Sequence, residues 1–223
     1  MPRMAARRKT FADRKDAGQQ LAERLKDEQW TDPLILGLAR GGVPVAEVVA
    51  RKLGAPLDVL VARKIGAPGH PEFGVGAVTS EGPPIFNEET LRMLGLTAQD
   101  LQQVCEQERA EARRRVTRYQ GSRDPRSWHD RDVIVIDDGL ATGVTAKAAL
   151  RAVREQHPRR LVFAAPVCAP DGATKLLGEA DEVVCVAMPE AFMAVGQWYR
   201  DFRQTTDDDV VALLEAAHGR SGR

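Results

Sequence analysis

The stretch Val133-Ile134-Val135-Ile136-Asp137-Asp138-Gly139-Leu140-Ala141-Thr142-Gly143-Val144-Thr145 decides how the rest of the chain is read. Four β-branched apolar residues run into two adjacent acids, then into a loop carrying two glycines and two threonines. Ala146, Ala149, Leu150 and Val153 follow at helical spacing. An uninterrupted apolar run has no polar face, so this strand belongs in a parallel sheet covered by helices on both sides. The loop then lies beyond the carboxyl end of a strand, where open α/β sheets bind their ligands.

The residue types of the loop point to a ligand that carries both phosphate and hydroxyl groups. Gly139 and Gly143 let the backbone approach closely, and the loop amides with the following helix N-terminus offer positive partial charge to a phosphate. Thr142 and Thr145 add hydroxyl donors. Asp137 and Asp138 only accept hydrogen bonds when ionised, so they suit vicinal hydroxyls or the water around a divalent cation. Two carboxylates would repel a bare phosphate, which is why hydroxyls are required. The chain has no Gly-Lys-Ser/Thr, and Gly139 with Gly143 does not make a dinucleotide fingerprint. Acids capping a turn would explain Asp-Asp-Gly alone, but not the whole string.

Outward from the loop the same rhythm recurs. Leu34-Ile35-Leu36, Leu57 to Val61, Leu161 to Val167 and Val183 to Val186 read as further buried strands, and Val43, Ala46, Val49, Ala50 and Leu53 keep helical spacing. The expected fold is α/β, a doubly wound and mostly parallel sheet, as one domain over 1–223. Residues 73–126 break the rhythm and read as an inserted hairpin and helical subdomain. Ser80-Glu81-Gly82-Pro83-Pro84 marks its turn, Asn87 caps one helix, and Thr97 with Asp100 forms a capping box for a second. Gly121 to Arg126 reads as a surface link back to the core.

A chain of 223 residues with 43% hydrophobic content can bury one sizeable core. Basic and acidic residues both number 32, so net charge draws the chain to neither nucleic acid nor membrane. Cys105, Cys168 and Cys185 match no zinc or redox spacing and read as small buried hydrophobes in a reducing compartment. No apolar stretch is long enough to span a bilayer, so a cytoplasmic location is expected.

The string from Val133 to Thr145 resembles the signature of the type I phosphoribosyltransferase family throughout: an apolar strand, two acids and a Thr-Gly-x-Thr phosphate loop. The wider likeness covers most of Leu34 to Val210. It implies that the protein binds phosphoribosyl diphosphate (PRPP) with Mg²⁺, the ribose hydroxyls on Asp137 and Asp138, and the 5′-phosphate on Ala141, Thr142, Gly143, Val144 and Thr145, with Gly139 and Leu140 in the same loop. Leu36-Gly37-Leu38-Ala39-Arg40-Gly41-Gly42 is similar to the family's pyrophosphate loop, which implies a cis Ala39–Arg40 peptide and diphosphate contacts from Arg40, Gly41 and Gly42. Arg63 and Lys64, past the second strand, correspond to further pyrophosphate contacts, and the glycine- and proline-rich residues 66–76 to a mobile flap. Together with the two aspartates they make the expected catalytic set.

The resemblance further implies a homodimer and a C-terminal hood, residues 188–206, in which Phe192, Trp198 and Tyr199 are the candidates to stack on a nitrogenous acceptor. Family members that use 6-oxopurines carry an acid where this chain has Ala141, so hypoxanthine and guanine are disfavoured. Two other readings compete. A non-catalytic PRPP sensor that binds nucleic acid would use Arg7-Arg8-Lys9 and Arg113-Arg114-Arg115-Val116-Thr117-Arg118, but Glu106, Glu108 and Glu111 interleave upstream, as on a solvated helix face. A receiver-like signalling domain would also pair acids at a strand end, but leaves the Gly37 to Gly42 loop unexplained.

Overall fold

A computed structural model of the chain describes residues 11–121 and 126–221. Helix α1 spans Arg14–Leu25, followed by β1 (Leu34–Leu38), α2 (Gly42–Leu53), β2 (Leu57–Leu60), β3 (Ala62–Ala67), β4 (His70–Thr79), β5 (Ile85–Phe86), α3 (Glu88–Leu94) and α4 (Gln102–Gln120). The chain continues with β6 (Asp132–Ile136), α5 (Val144–Arg154), β7 (Arg160–Val167), α6 (Pro170–Leu176), β8 (Glu182–Ala187), a short 3₁₀ turn at Val195–Trp198 and α7 (Asp207–Ser221).

Five strands form the main sheet in the order β2-β1-β6-β7-β8, every neighbouring pair parallel. The strands lack a polar face because both faces are covered. Ile35, Val59, Ile134, Ile136, Val162 and Ala164 pack against α1, α2, α4 and α7. Leu34, Leu36, Val133, Val135, Leu161 and Phe163 pack against α5 and α6. Successive residues thus enter opposite cores, as the pleat requires, and the expected doubly wound α/β architecture is the observed one.

Residues 62–86, starting before the insertion expected at 73, build a small sheet of their own, β3-β4-β5, antiparallel throughout. The glycine- and proline-rich residues 66–76, expected to correspond to a mobile flap, belong mostly to a ladder: Ala62 to Ala67 pairs with His70 to Thr79, with register shifts beside Gly66. Arg63 and Lys64 lie past the end of β2, as expected, but within a further strand, β3. Asn87 caps α3 through an Oδ1 that accepts from the Thr90 amide at 3.1 Å. Thr97 and Asp100 form the reciprocal box ahead of α4, the Thr97 amide donating at 2.8 Å. Cys105, Ala112 and Tyr119, one per two turns, are the buried stripe of α4. Most of the proposed link at 121–126 lies outside the described residues, as does Arg7-Arg8-Lys9.

Helices α1, α6 and α7 go beyond the sequence expectation, and the reading of all three cysteines as unpaired hydrophobes in a reducing compartment is overturned. Cys168, just after β7, is joined to Cys185 in β8 by a disulfide with Cα atoms 6.2 Å apart, while Cys105 is a free, buried thiol. Parallel pairing of β7 with β8 folds residues 17 apart onto neighbouring strands, a proximity that linear spacing does not reveal. A cross-link closing a loop of that length stabilises by about 3 kcal/mol. Reduction should therefore lower the melting temperature by several degrees, and Cys168→Ser should abolish the response. Melts with and without a phosphine reductant check this, and an unreduced sample that titrates all three thiols would refute the cross-link.

Candidate functional site

The site is assembled where β1 and β6 end side by side. Gly41 and Gly42, entering α2, lie directly against the acid loop. A Cβ on Gly41 would collide with the Asp138 carboxylate, and one on Gly42 with the Ile136 carbonyl and Asp137 Cα. The glycine loop thus meets the acid loop with no side chain of its own at the contact. The Ala39–Arg40 peptide is cis.

The acid loop is fastened from behind. The Asp137 amide donates to the Ala164 carbonyl at 3.2 Å and the Leu140 amide to the Val167 carbonyl at 2.8 Å, while the Ala169 amide donates to the Leu140 carbonyl at 2.7 Å. Gly143 takes φ +80°, the left-handed turn that starts α5. Tyr199, fully buried and packed on Phe11 at 5.3 Å between ring centres, donates its hydroxyl to the Asp138 carbonyl at 2.5 Å.

The two acids are not equivalent. Asp138 lines a cavity of about 380 Å³ with Arg14, Arg40, Gly41, Phe202, Gln204 and Thr205. Asp137 turns Oδ1 back to accept from the Asp138 amide at 2.8 Å. Burial, and then the charge of Asp138, push the Asp137 carboxyl well above the ordinary range. Burial raises Asp138 as well, opposed by the Arg14 guanidinium, whose Nε donates to Asp138 Oδ2 at 2.8 Å.

The remaining candidates are distributed unevenly. Arg40 lies in the cavity but is paired with Asp207 at 3.5 Å. Thr142, Gly143 and Val144 face a second cavity of about 430 Å³, shared with Phe86, Lys147 and Lys175. Arg63 is held by Glu108 of α4 at 2.7 Å, and Lys64 lays its stem along Gly74, so neither lines the two cavities. Of the hood aromatics, Tyr199 is interior, and Phe192 and Trp198 pack around it with Val195. The ring that reaches the cavity is Phe202, which sequence reasoning passed over although it closes the same aromatic segment. Arg14 carries no sequence signal beyond its position at a helix start. No group of three or more His, Cys, Asp or Glu among the described residues could hold a metal alone.

A family model for the phosphoribosyl transferase domain matches residues 9–202. A Mycobacterium tuberculosis protein that bears a provisional phosphoribosyl transferase name is 46% identical over 210 residues, 94% of this chain and 47% of that protein. The chain therefore spans about half the length of the curated relatives it matches there. The crystal structure of TT1426 from Thermus thermophilus covers 92% of this chain and 97% of its own, at 44% identity and a TM-score of 0.77. A uracil phosphoribosyltransferase of Legionella pneumophila is 42% identical over 59 residues, 26% of this chain and 28% of that protein.

Two measurements follow from the geometry. Gly41→Ala should displace the Asp138 carboxylate and weaken ligand binding at this cleft at least tenfold with the fold retained, as read by calorimetry beside circular dichroism. For Asp137, a raised folded-state pKa means that its ionised form opposes folding, so stability falls as pH rises above the usual carboxylate range. Asp137→Asn should therefore melt a few degrees higher than the wild type at pH 8, the gap closing toward pH 4. A gap that is constant with pH would disprove the assignment.

Proposed function

The chain belongs to the phosphoribosyl transferase domain family, and we propose that it moves the 5-phosphoribosyl group of PRPP to a nitrogenous acceptor and releases pyrophosphate. The observation that carries this is the contact of the Gly41-Gly42 loop with Asp138, which brings a carboxylate and Arg40 to the edge of the sheet where the loop from Gly139 to Thr145 leaves β6. The 5′-phosphate would take the amides at the start of α5, with the Thr142 and Thr145 hydroxyls. The ribose hydroxyls would donate to Asp138 and to Asp137.

As the bond from the anomeric carbon to the diphosphate breaks, positive charge grows on the ring and negative charge on the leaving group. Asp138 faces the first. Arg40 can turn from Asp207 to the second, while Arg63 and Lys64 would have to reach it from β3. The donor set fits Mg²⁺, since two adjacent carboxylates with substrate phosphates and water suit an ion that seldom takes an all-protein cage. Bound there, Mg²⁺ would neutralise charge on the diphosphate. Phe202, Gln204 and Thr205 form the acceptor side of the cavity in this reading, with Phe192 and Trp198 behind them and Tyr199 as the prop of the acid loop.

The reading includes a homodimer, testable by light scattering, and a cytoplasmic location, for which the Cys168–Cys185 disulfide gives no support because such bonds persist in oxidising settings. No helix among the described residues is long and apolar enough to cross a membrane. Among the described residues, the arginines that a nucleic-acid sensor would use are engaged: Arg113 with Glu81 at 3.5 Å, Arg114 and Arg115 with Glu111, each at 2.7 Å, and Arg118 with Asp207 and Asp208. We therefore keep the enzyme and set the sensor aside.

The double variant Asp137→Asn with Asp138→Asn should lose PRPP binding in the presence of Mg²⁺ by at least a hundredfold in titration calorimetry; unchanged affinity would defeat the proposal. A panel of bases and amines with PRPP, read out as pyrophosphate, should identify the acceptor.

A further inference from the structure

Arg14 is held in three ways at once. Nε and one terminal nitrogen both donate to Oδ2 of Asp138, at 2.8 and 2.7 Å, and the other terminal nitrogen donates to the Arg203 carbonyl at 2.6 Å. The guanidinium carbon lies 4.0 Å over the Phe202 ring. Its side chain is only 13% exposed. The oxygen it occupies, Oδ2, is also the one pressed toward Gly41, so the cation fills the side of Asp138 that faces the glycine loop.

We propose that Arg14 is an internal stand-in for the sugar and thereby a specificity-determining residue. It donates to Asp138 Oδ2 where a hydroxyl of the phosphorylated pentose donates in the complex, and the ligand enters by exchanging one set of hydrogen bonds for the other. The inference rests on the reading of Asp138 given above and adds to it a residue and a selection rule. A carboxylate oxygen accepts only from donors. A hydroxyl-bearing ligand can replace the guanidinium, whereas an anion without hydroxyls cannot.

The test titrates metal-free wild type and Arg14→Met with ribose 5-phosphate and, separately, with inorganic pyrophosphate. Methionine keeps a stem over Phe202 and removes every donor. The expected result is that the ribose 5-phosphate Kd falls by roughly threefold or more in the variant, with no such tightening for pyrophosphate. Loss of a cation or structural damage weakens the binding of either anion and cannot tighten it; a ribose 5-phosphate Kd equal to or above that of the wild type overturns the proposal. Should Arg14→Met fail to fold, the wild-type Arg14 Nε–H resonance, assigned with Arg14→Lys, serves instead. It should move with ribose 5-phosphate and stay in place with pyrophosphate, and a signal unmoved by bound ribose 5-phosphate overturns the proposal. Ribose 5-phosphate that binds neither protein defeats the sugar reading of Asp138 along with it, while binding that is intact and insensitive to Arg14 defeats the stand-in alone.

Discussion

The direct contact between the glycine loop after β1 and the acid loop after β6 is the constraint on which the rest of the site depends. Neighbouring strands lie about 4.8 Å apart, and two loops leaving adjacent strand ends can meet only if one of them has no side chains at the contact. Gly41 and Gly42 meet that requirement: a methyl group on either would run into Asp138 or into the backbone of Ile136 and Asp137. Because β1 and β6 are parallel neighbours, the glycine loop and the paired acids share an edge.

Holding two acids at that edge costs stability. Both are raised in pKa by burial, and Asp137 also by the charge of its neighbour. The fold offsets this with groups brought from far along the chain: Tyr199 on the Asp138 carbonyl, Arg14 on its carboxylate, and β7 on the loop backbone. The hood therefore supports the acid loop as much as it shapes the cleft. The buried ring of Tyr199 is spent on that support, which leaves Phe202 as the ring that lines the cavity.

Much of the architecture is legible without coordinates. Apolar runs with no polar face can be stable only in a sheet covered on both sides, so the five strands of the main sheet and helices α2 and α5 follow from periodicity. Asn87 and the Thr97–Asp100 box mark helix starts because a side chain must satisfy orphan amides there. The helices α1, α6 and α7 were not legible in the same way, since shorter or more mixed apolar stripes make sense only once the surface they cover is known.

What the sequence by itself determined is local: the order of strands and helices, the position of the acid loop beyond a buried strand, and the glycines where backbones must approach. Tertiary structure alone decided what is adjacent. It joined Cys168 to Cys185 through the pairing of β7 with β8, drew Arg63 away to Glu108, turned Tyr199 inward and set Arg14 on Asp138. The physical reason is that hydrogen-bonding pattern and apolar period act over a few residues and are written in the local sequence. The disulfide and these ion pairs join groups far apart in the chain, and their partners are chosen only when the sheet has closed.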